Sequence, residues 1–224
     1  MFGLLNKLFV WLQRLVQGIP GGSAHLYDKV ATRYLEPSYG YVLGELGFRD
    51  LSGLVVLEVG CGVGRLLLDV AMRLRPASLV GLDISRAMVG ICRRNLIHGG
   101  GYAYVDLVMA DGHRMPLRDG SVDMVVSTGT LHHIRRPAEL FSECLRVLRT
   151  GGEAWIYEFS HDGECGGSPV DLGRSCLLMR FLASLHGLPR RVFLGGYIRE
   201  ALSEVGCRFS LEFRGLITKL VLRK

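Results

Sequence analysis

The sequence predicts an α/β fold in which a doubly wound, mostly parallel sheet of seven strands ends in an antiparallel hairpin. From residue 54 onward, short β-branched runs alternate with helical patterns, the signature of βαβ units. The last two runs are separated by residues 214–216 alone, a connection too short for a parallel crossover. Hydrophobic residues make up 49% of the 224 positions and charged residues 21%, which excludes intrinsic disorder and collagen-like structure.

The predicted elements follow one another along the chain. Apolar and β-branched runs predict strands at residues 54–59, 79–82, 105–109, 122–127, 154–159, 209–213 and 217–222. Helical spacing of apolar residues predicts helices at residues 66–74, 139–148 and 196–205, and one more that opens at Ser85. We expect residues 1–22 to form a helix and hinge, residues 23–224 a single domain, and residues 160–195 a substrate-capping insertion within it.

The segment at residues 2–19 is predicted to be a strongly amphipathic helix. One half of its helical wheel carries leucine and aromatic side chains, whereas the other half is mostly polar, and Gly18 with Pro20 then ends the helix. Such a face must be buried against its own domain, a homodimer partner or a membrane surface, and the sequence leaves all three open. Charged residues recur through the segment, which is not typical of a secretory signal peptide.

Charge and cysteine usage narrow the class of protein. A formal charge of +6 weakly favours anionic partners, but no dense run of basic residues interleaved with aromatics provides a specific nucleic-acid signal. No apolar stretch reaches the roughly 18–20 residues of a spanning helix. None of the six cysteines forms a CxxC pair, so we expect no metal site and free thiols in a reducing compartment. We therefore predict a cytoplasmic protein, with peripheral membrane association as an alternative.

A glycine-rich turn follows the first strand directly. Gly60, Gly62 and Gly64 stand at the carboxyl end of that strand, where open α/β sheets bind ligands. Arg65 occupies the position at which a dinucleotide-binding fingerprint needs its third glycine, which argues against an NAD-dependent dehydrogenase. No Gly-Lys-Ser/Thr follows, so the turn is not a P-loop either.

Three successive strands end in an acid. Glu58 stands at the end of the first, Asp83 at the end of the second and Asp111 just after the third. A carboxylate in the position of Asp83 can accept hydrogen bonds from both hydroxyls of a ribose. Asp111 is positioned to accept from an exocyclic adenine amine. This combination predicts a nucleoside site far more specifically than the glycine spacing does.

These motifs resemble the class I S-adenosylmethionine-dependent methyltransferases, in the subgroup that acts on small molecules, quinones and lipids. The resemblance rests on VLEVGCGVG (56–64), GLDIS (81–85), ADGHRMPLRDGSVDMVVS (110–127), TLHHI (130–134) and ECLRVLRTGG (143–152). It implies a Rossmann-like fold, S-adenosyl-L-methionine as cofactor and S-adenosyl-L-homocysteine as product. Thr150 departs from the pattern, since proline is common before these two glycines.

The resemblance also implies roles for individual residues. The glycines of the turn, with Cys61 among them, line the methionine part of the cofactor, Glu58 faces its amino group and Asp83 holds the ribose. The remaining expected cofactor contacts are Ile84 and Met88 on the adenine, Asp111 and Gly112 at its amine, Ser127 at the methionine end, and Tyr27 in an amino-terminal lid. Simple core packing is an open alternative for Ile84 and Met88.

A sulfonium methyl is already electrophilic, so alignment of the acceptor is the main task and a base assists only some acceptors. His132, His133 and Glu158 are the candidate catalytic residues, with His161 as a further candidate base. A structural role for one of the paired histidines is an open alternative. Apolar residues within 160–195 predict an apolar or lipid-like acceptor, with simple packing of this segment on the sheet as an open alternative. The resemblance adds small, quinone-like acceptors to those implied.

Other functions were weighed against this prediction. The fourth strand is not followed by Asn/Asp-Pro-Pro-Tyr, which disfavours amino-adenine methylation. Nor is it followed by Pro-Cys or Thr-Cys, which disfavours covalent cytosine C5 chemistry. The alternatives are an RNA or protein methyltransferase, motivated by the positive charge, and a cofactor-binding scaffold that acts through its amino-terminal helix.

Overall fold

The computed structural model describes residues 38–164 and 187–224, together with Arg180. The predicted helix at residues 2–19, Tyr27 and most of the predicted cap lie outside the described residues. Within the described residues, no helix has the length and hydropathy that crossing a bilayer requires.

In this part of the chain, seven strands form one sheet in the spatial order β3-β2-β1-β4-β5-β7-β6. The strands are β1 (Val55–Val59), β2 (Ser78–Asp83), β3 (Val105–Met109), β4 (Val122–Thr128), β5 (Leu148–Phe159), β6 (Arg208–Arg214) and β7 (Ile217–Arg223). Strands β1 to β5 are parallel, whereas β7 is antiparallel to both β5 and β6. The predicted doubly wound sheet and its carboxyl-terminal hairpin are therefore confirmed.

Helices cover both faces of the sheet. Those described are α1 (38–47), α2 (Arg65–Arg73), α3 (Arg86–His98), α4 (Pro137–Val147), α5 (Arg191–Gly195) and α6 (Tyr197–Val205). Ser85 caps α3 as predicted, because its hydroxyl accepts a hydrogen bond from the Met88 N–H at 3.4 Å. A 3-10 turn at Leu131–His133 follows β4.

The central strands are buried on both faces. Adjacent β1 residues Val56 and Leu57 point into two different apolar clusters, and neither is more than 1% exposed. Two-sided burial explains why the parallel strands have nearly continuous apolar sequences. The order of strands reverses between β1 and β4, and this switch point places the turn after β1 beside the residues that follow β4.

One strand and two helices differ from the sequence prediction. Strand β5 begins at Leu148 rather than at residue 154, because Leu148 pairs with Val122 and an irregularity follows before Glu153 pairs with Met124. The short helix α5 was not predicted, and neither was helix α1. The inner face of α1, with Val42 and Leu46, is buried against the sheet.

Candidate functional site

An open cleft lies at the carboxyl ends of the parallel strands. The residues that line it come from the turn after β1, the end of β2, the segment after β3 and the segment after β4. Of the residues predicted from sequence, those that line the cleft are Glu58, Gly60, Cys61, Gly62, Asp83, Ile84, Met88, Asp111, Gly112 and His133. Gly64, Ser127, His132, Glu158 and His161 are not among its lining residues.

The glycine turn is built from left-handed backbone. Gly60, Gly62 and Gly64 have φ angles of 74°, 53° and 80°, a region that side chains rarely adopt. A Cβ on Gly60 would lie 2.2 Å from the Thr130 hydroxyl oxygen, and one on Gly64 would lie 2.4 Å from the Cys92 sulfur. By contrast, a Cβ on Gly62 would meet nothing within 4 Å, because this residue faces the cleft. The turn is thus closely packed against the protein at Gly60 and Gly64 and open at Gly62.

Asp83 joins the end of β2 to this turn. Its Oδ2 accepts a hydrogen bond from the Gly62 N–H at 2.9 Å, and its Oδ1 accepts from the Ser85 N–H at 2.8 Å. Burial raises the pKa of Asp83, while these two N–H donors act in the opposite direction. Each carboxylate oxygen retains a second lone pair, so the group can still accept hydrogen bonds from a ligand in the cleft.

Glu58 forms the floor of the cleft and lacks a partner at one oxygen. The residue is 4% exposed, and its Oε2 is buried with no hydrogen bond. Burial raises the pKa of Glu58 well above its ordinary value, and the nearby Cys92 and Asp83 add to the effect. A buried carboxylate oxygen without a hydrogen bond is costly, and a cationic ligand group would relieve that cost.

Asp111 is held by a residue that the sequence analysis missed. Its Oδ1 accepts from the His113 N–H at 2.9 Å and lies 2.6 Å from the His113 ring Nδ1. Burial acts to raise the pKa of Asp111, but these His113 contacts prevail and hold it below its usual value. His113 also lines the cleft, and its ring Nε2 is buried without a hydrogen bond. The Asp-x-His spacing was the only available signal for this pair.

Ile84 and Met88 both line the cleft but differ in burial. Ile84 is 39% exposed, which favours contact with a ligand over core packing. Met88 is 2% exposed and packs with Val63 and Ile91, so it serves the core as well as the cleft wall.

Two other residues of the predicted set have structural contacts. The Ser127 hydroxyl donates to the Val59 carbonyl oxygen at 2.8 Å and so ties β4 to β1. Cys61 lines the cleft as a buried thiol, whose pKa is raised well above its ordinary value by a hydrogen bond with Cys92 and by burial. A thiol of that kind is not a nucleophile.

The paired histidines after β4 occupy different environments. His133 lines the cleft, whereas His132 is 3% exposed and lies behind it, with the two ring centroids 4.1 Å apart. The His132 ring Nδ1 is 3.1 Å from both oxygens of Glu158, which is 1% exposed. Glu158 also accepts from the N–H groups of His132 and Phe159, at 3.0 and 2.9 Å. Glu158 therefore fixes His132, and the His132 ring supports that of His133.

The cleft has further walls that sequence reasoning did not identify. Tyr39 reaches it from α1, and Thr128, Gly129 and Thr130 line it after β4. His161 lies outside the lining, and burial lowers its pKa against the opposing charge of Asp162.

The lining is suited to an adenosyl ligand that carries an ammonium group. Glu58, Asp83 and Asp111 present hydrogen-bond acceptors at three places. The Glu58 oxygen that lacks a hydrogen bond could receive an ammonium group, and the glycine turn leaves room for a ligand to approach the backbone closely. In the described ranges, no group of three or more His, Cys, Asp or Glu side chains is arranged to hold a metal ion.

Comparisons with known proteins agree with this geometry. Residues 57–156 match the model of the methyltransferase domain family. Over 128 residues the chain is 34% identical to a phthiotriol/phenolphthiotriol dimycocerosates methyltransferase of Mycobacterium ulcerans. This match covers 57% of this chain and 46% of that protein. Over 161 residues it is 34% identical to the malonyl-[acyl-carrier protein] O-methyltransferase of Geobacter sulfurreducens. That match covers 68% of this chain and 55% of the relative. The chain thus spans about half the length of these curated relatives.

Solved structures share the fold at low sequence identity. A candidate S-adenosyl-L-methionine-dependent methyltransferase of Methanococcus maripaludis superimposes with a TM-score of 0.72 at 18% identity, over 93% of this chain and 95% of that one. A SAM-dependent methyltransferase of Aquifex aeolicus gives 0.67 at 19% identity, over 92% and 98%. Residues 57–156 of this chain therefore match the methyltransferase domain family, and its sheet has the fold of these solved methyltransferases.

Proposed function

We propose that this chain transfers the methyl group of S-adenosylmethionine to a small, apolar acceptor of lipid or quinone type. The observation that carries the proposal is the convergence of Glu58, Asp83 and Asp111 on one cleft above the glycine turn. These three acceptors match the ammonium, ribose and adenine groups of the cofactor in the order of the strands that present them.

The cofactor would be held by residues that already point into the cleft. Glu58 would receive the ammonium group, because its Oε2 is buried and lacks any other partner. Asp83 would accept from the ribose hydroxyls while its N–H contacts to the turn keep the carboxylate fixed. Asp111, fixed by His113, would accept from the adenine amine, and Ile84 would cover the ring.

When bound, the cofactor supplies an electrophilic methyl group, so the protein has to align the acceptor and exclude water. His133 is the candidate that meets the reacting groups, since it lines the cleft beyond the glycine turn. It would accept the proton of a hydroxyl or an activated carbon. Glu158 and His132 would act behind it as positioning residues, because neither is among the residues that line the cleft.

Three observations support an apolar acceptor. The segment predicted to cap the site is rich in leucine and other apolar residues, and residues 2–19 carry a leucine and aromatic face. One of the relatives described above is named for phthiotriol and phenolphthiotriol dimycocerosates. A lipid-like or quinone-like acceptor is consistent with all three.

Cofactor binding can be tested by calorimetric titration with S-adenosylhomocysteine. We expect binding by the wild type and a loss of roughly tenfold or more for Asp83→Asn, since hydrogen bonds to a charged group are among the strong ones. Asp69→Asn is the matched control, because Asp69 lies on α2 outside the cleft and pairs with Arg73. Equal affinities for the wild type and Asp83→Asn would contradict the assigned ribose site.

Turnover can be tested with cofactor labelled on the methyl group and panels of quinones, lipids and small hydroxylated acceptors. For an acceptor that must lose a proton, His133→Ala should reduce kcat by about a hundredfold or more and leave S-adenosylhomocysteine affinity nearly unchanged. His98→Ala is the control, because His98 is an exposed residue at the end of α3. Unchanged kcat in His133→Ala would remove this residue from the chemistry.

A further inference from the structure

Helix α1 is connected to the sheet by a partly buried ion pair. The Lys219 Nζ on β7 lies 2.6 Å from the Glu45 Oε2 on α1, across 174 positions of sequence. The lysine side chain is 7% exposed and that of the glutamate 25%. This contact therefore joins the last strand to the first described helix.

Aromatic rings complete the surroundings of the lysine. Its Nζ lies 3.8 Å from the centroid of the Trp155 ring and 5.6 Å from that of Tyr157. Tyr157 in turn receives Tyr41 of α1 edge-on, with centroids 6.3 Å apart. A cation over aromatic faces is stabilised more when it is shielded from water. Lys219 thus has one charged and two aromatic partners in a largely dry location.

The helix that Lys219 fastens also supplies a wall of the cofactor cleft. Tyr39 lies six positions before Glu45 in the same helix and is among the residues that line the cleft. The remaining contacts of α1 with the sheet are largely apolar, through residues such as Val42 and Leu46. Apolar packing tolerates small rotations and shifts of a helix, whereas a charged contact fixes one orientation.

An apolar pair at these two positions would stabilise the protein about as well as the ion pair does. Replacing both partners of a buried ion pair by hydrophobic side chains of similar volume is often neutral or stabilising, because desolvation offsets the attraction. We propose that Lys219 is a positioning residue that, through Glu45, fixes α1 and thereby sets Tyr39 against the cofactor. The proposal rests on the cofactor site assigned above.

The test compares Lys219→Met and Glu45→Gln with the wild type in the full chain. We expect S-adenosylhomocysteine to bind roughly five- to twentyfold more weakly to each of the two variants than to the wild type. A loss of that size lies within the range of interaction energies measured between residues in contact. Hydrogen exchange at the amides of residues 38–47 should become faster without ligand, while exchange in the central strands β1 and β4 stays unchanged. Removal of one partner leaves the other charge unpaired, so some loss of thermal stability is expected as well. In a Tyr39→Ala background, Lys219→Met should weaken binding no further, because the residue it positions is gone.

Arg223→Met is the matched control. It removes a cation from the same strand, but the partner of Arg223 is Glu153 on β5 rather than a residue of α1. Equally strong binding of S-adenosylhomocysteine by the wild type and by Lys219→Met would overturn the proposal. A further loss of affinity when Lys219→Met is added to Tyr39→Ala would overturn it as well. Failure of the wild type to bind would instead overturn the assigned cofactor site, and the exchange rates would still report whether Lys219 holds α1.

Discussion

Glu58 illustrates at the scale of one residue how a binding site can oppose stability. The buried carboxyl has a raised pKa, so between an unfolded pKa of about 4.3 and its folded pKa the native state holds more protons than the unfolded state. Under that condition, stability falls as pH rises through the interval. The residue thus weakens the ligand-free protein at neutral pH, and a bound ammonium group would reverse the effect.

Replacement of this carboxyl should separate the two effects. Without ligand, we expect the midpoint of thermal unfolding of wild type to fall more between pH 5 and pH 8 than that of Glu58→Gln. A difference of about 1 kcal/mol corresponds to about 2–4 °C in a chain of this size. At pH 8 the variant should also bind S-adenosylhomocysteine more weakly. Parallel pH profiles of the unfolding midpoint for the two proteins would contradict a raised pKa of Glu58 in the folded state.

His113 shows why part of the site could not be predicted from sequence. The three strand-end acids were identifiable because each follows a run that itself predicts a strand. His113 and Tyr39 have no such marker, since a histidine or tyrosine outside a regular pattern is as common on a surface as in a cleft. Only the folded chain places them in the cleft lining, with His113 at 2.6 Å from Asp111.

At the scale of elements, the glycine turn makes a sharp steric prediction. Gly60→Ala places a methyl group 2.2 Å from the Thr130 hydroxyl oxygen, whereas Gly62→Ala meets no atom within 4 Å. Both substitutions incur the cost of left-handed backbone, so their difference isolates the clash. We expect urea unfolding to show an additional loss of about 1–3 kcal/mol for Gly60→Ala. Equal losses would mean that the segment carrying Thr130 moves aside.

The sequence predicted the strands well but missed helix α1 and the short helix α5. Alternating βαβ patterns placed all seven strands, and the short connection at residues 214–216 required the hairpin that joins β6 to β7. Helix α1 escaped prediction because its sequence, SYGYVLGELG, contains three glycines, which are poor helix formers. Tertiary packing of Val42 and Leu46 overrides that propensity, and packing is not visible in a local pattern.

At the scale of the whole molecule, the amphipathic sequence of residues 2–19 leads to a prediction about membranes. If the leucine and aromatic face binds a lipid surface, Leu8→Glu with Leu12→Glu should abolish flotation of the protein with lipid vesicles and reduce turnover of a vesicle-borne acceptor. S-Adenosylhomocysteine affinity should remain unchanged. Val10→Glu is the matched control, since Val10 falls on the other half of the helical wheel. If the wild type is a dimer in solution and does not float with vesicles, a homodimer contact is favoured instead.

The aromatic environment of the β7 lysine has a practical consequence for spectroscopy. Trp155 lies beneath two cations, with the Arg49 guanidinium 5.0 Å and the Lys219 Nζ 3.8 Å from its ring centroid. Nearby charges shift the emission wavelength of an indole ring, so its fluorescence depends on how closely the first described helix docks. The chain contains two tryptophans, and Trp11→Phe would leave Trp155 as the single emitter. Such a protein would report any change in the docking of this helix in a stopped-flow instrument, in real time and without an attached dye.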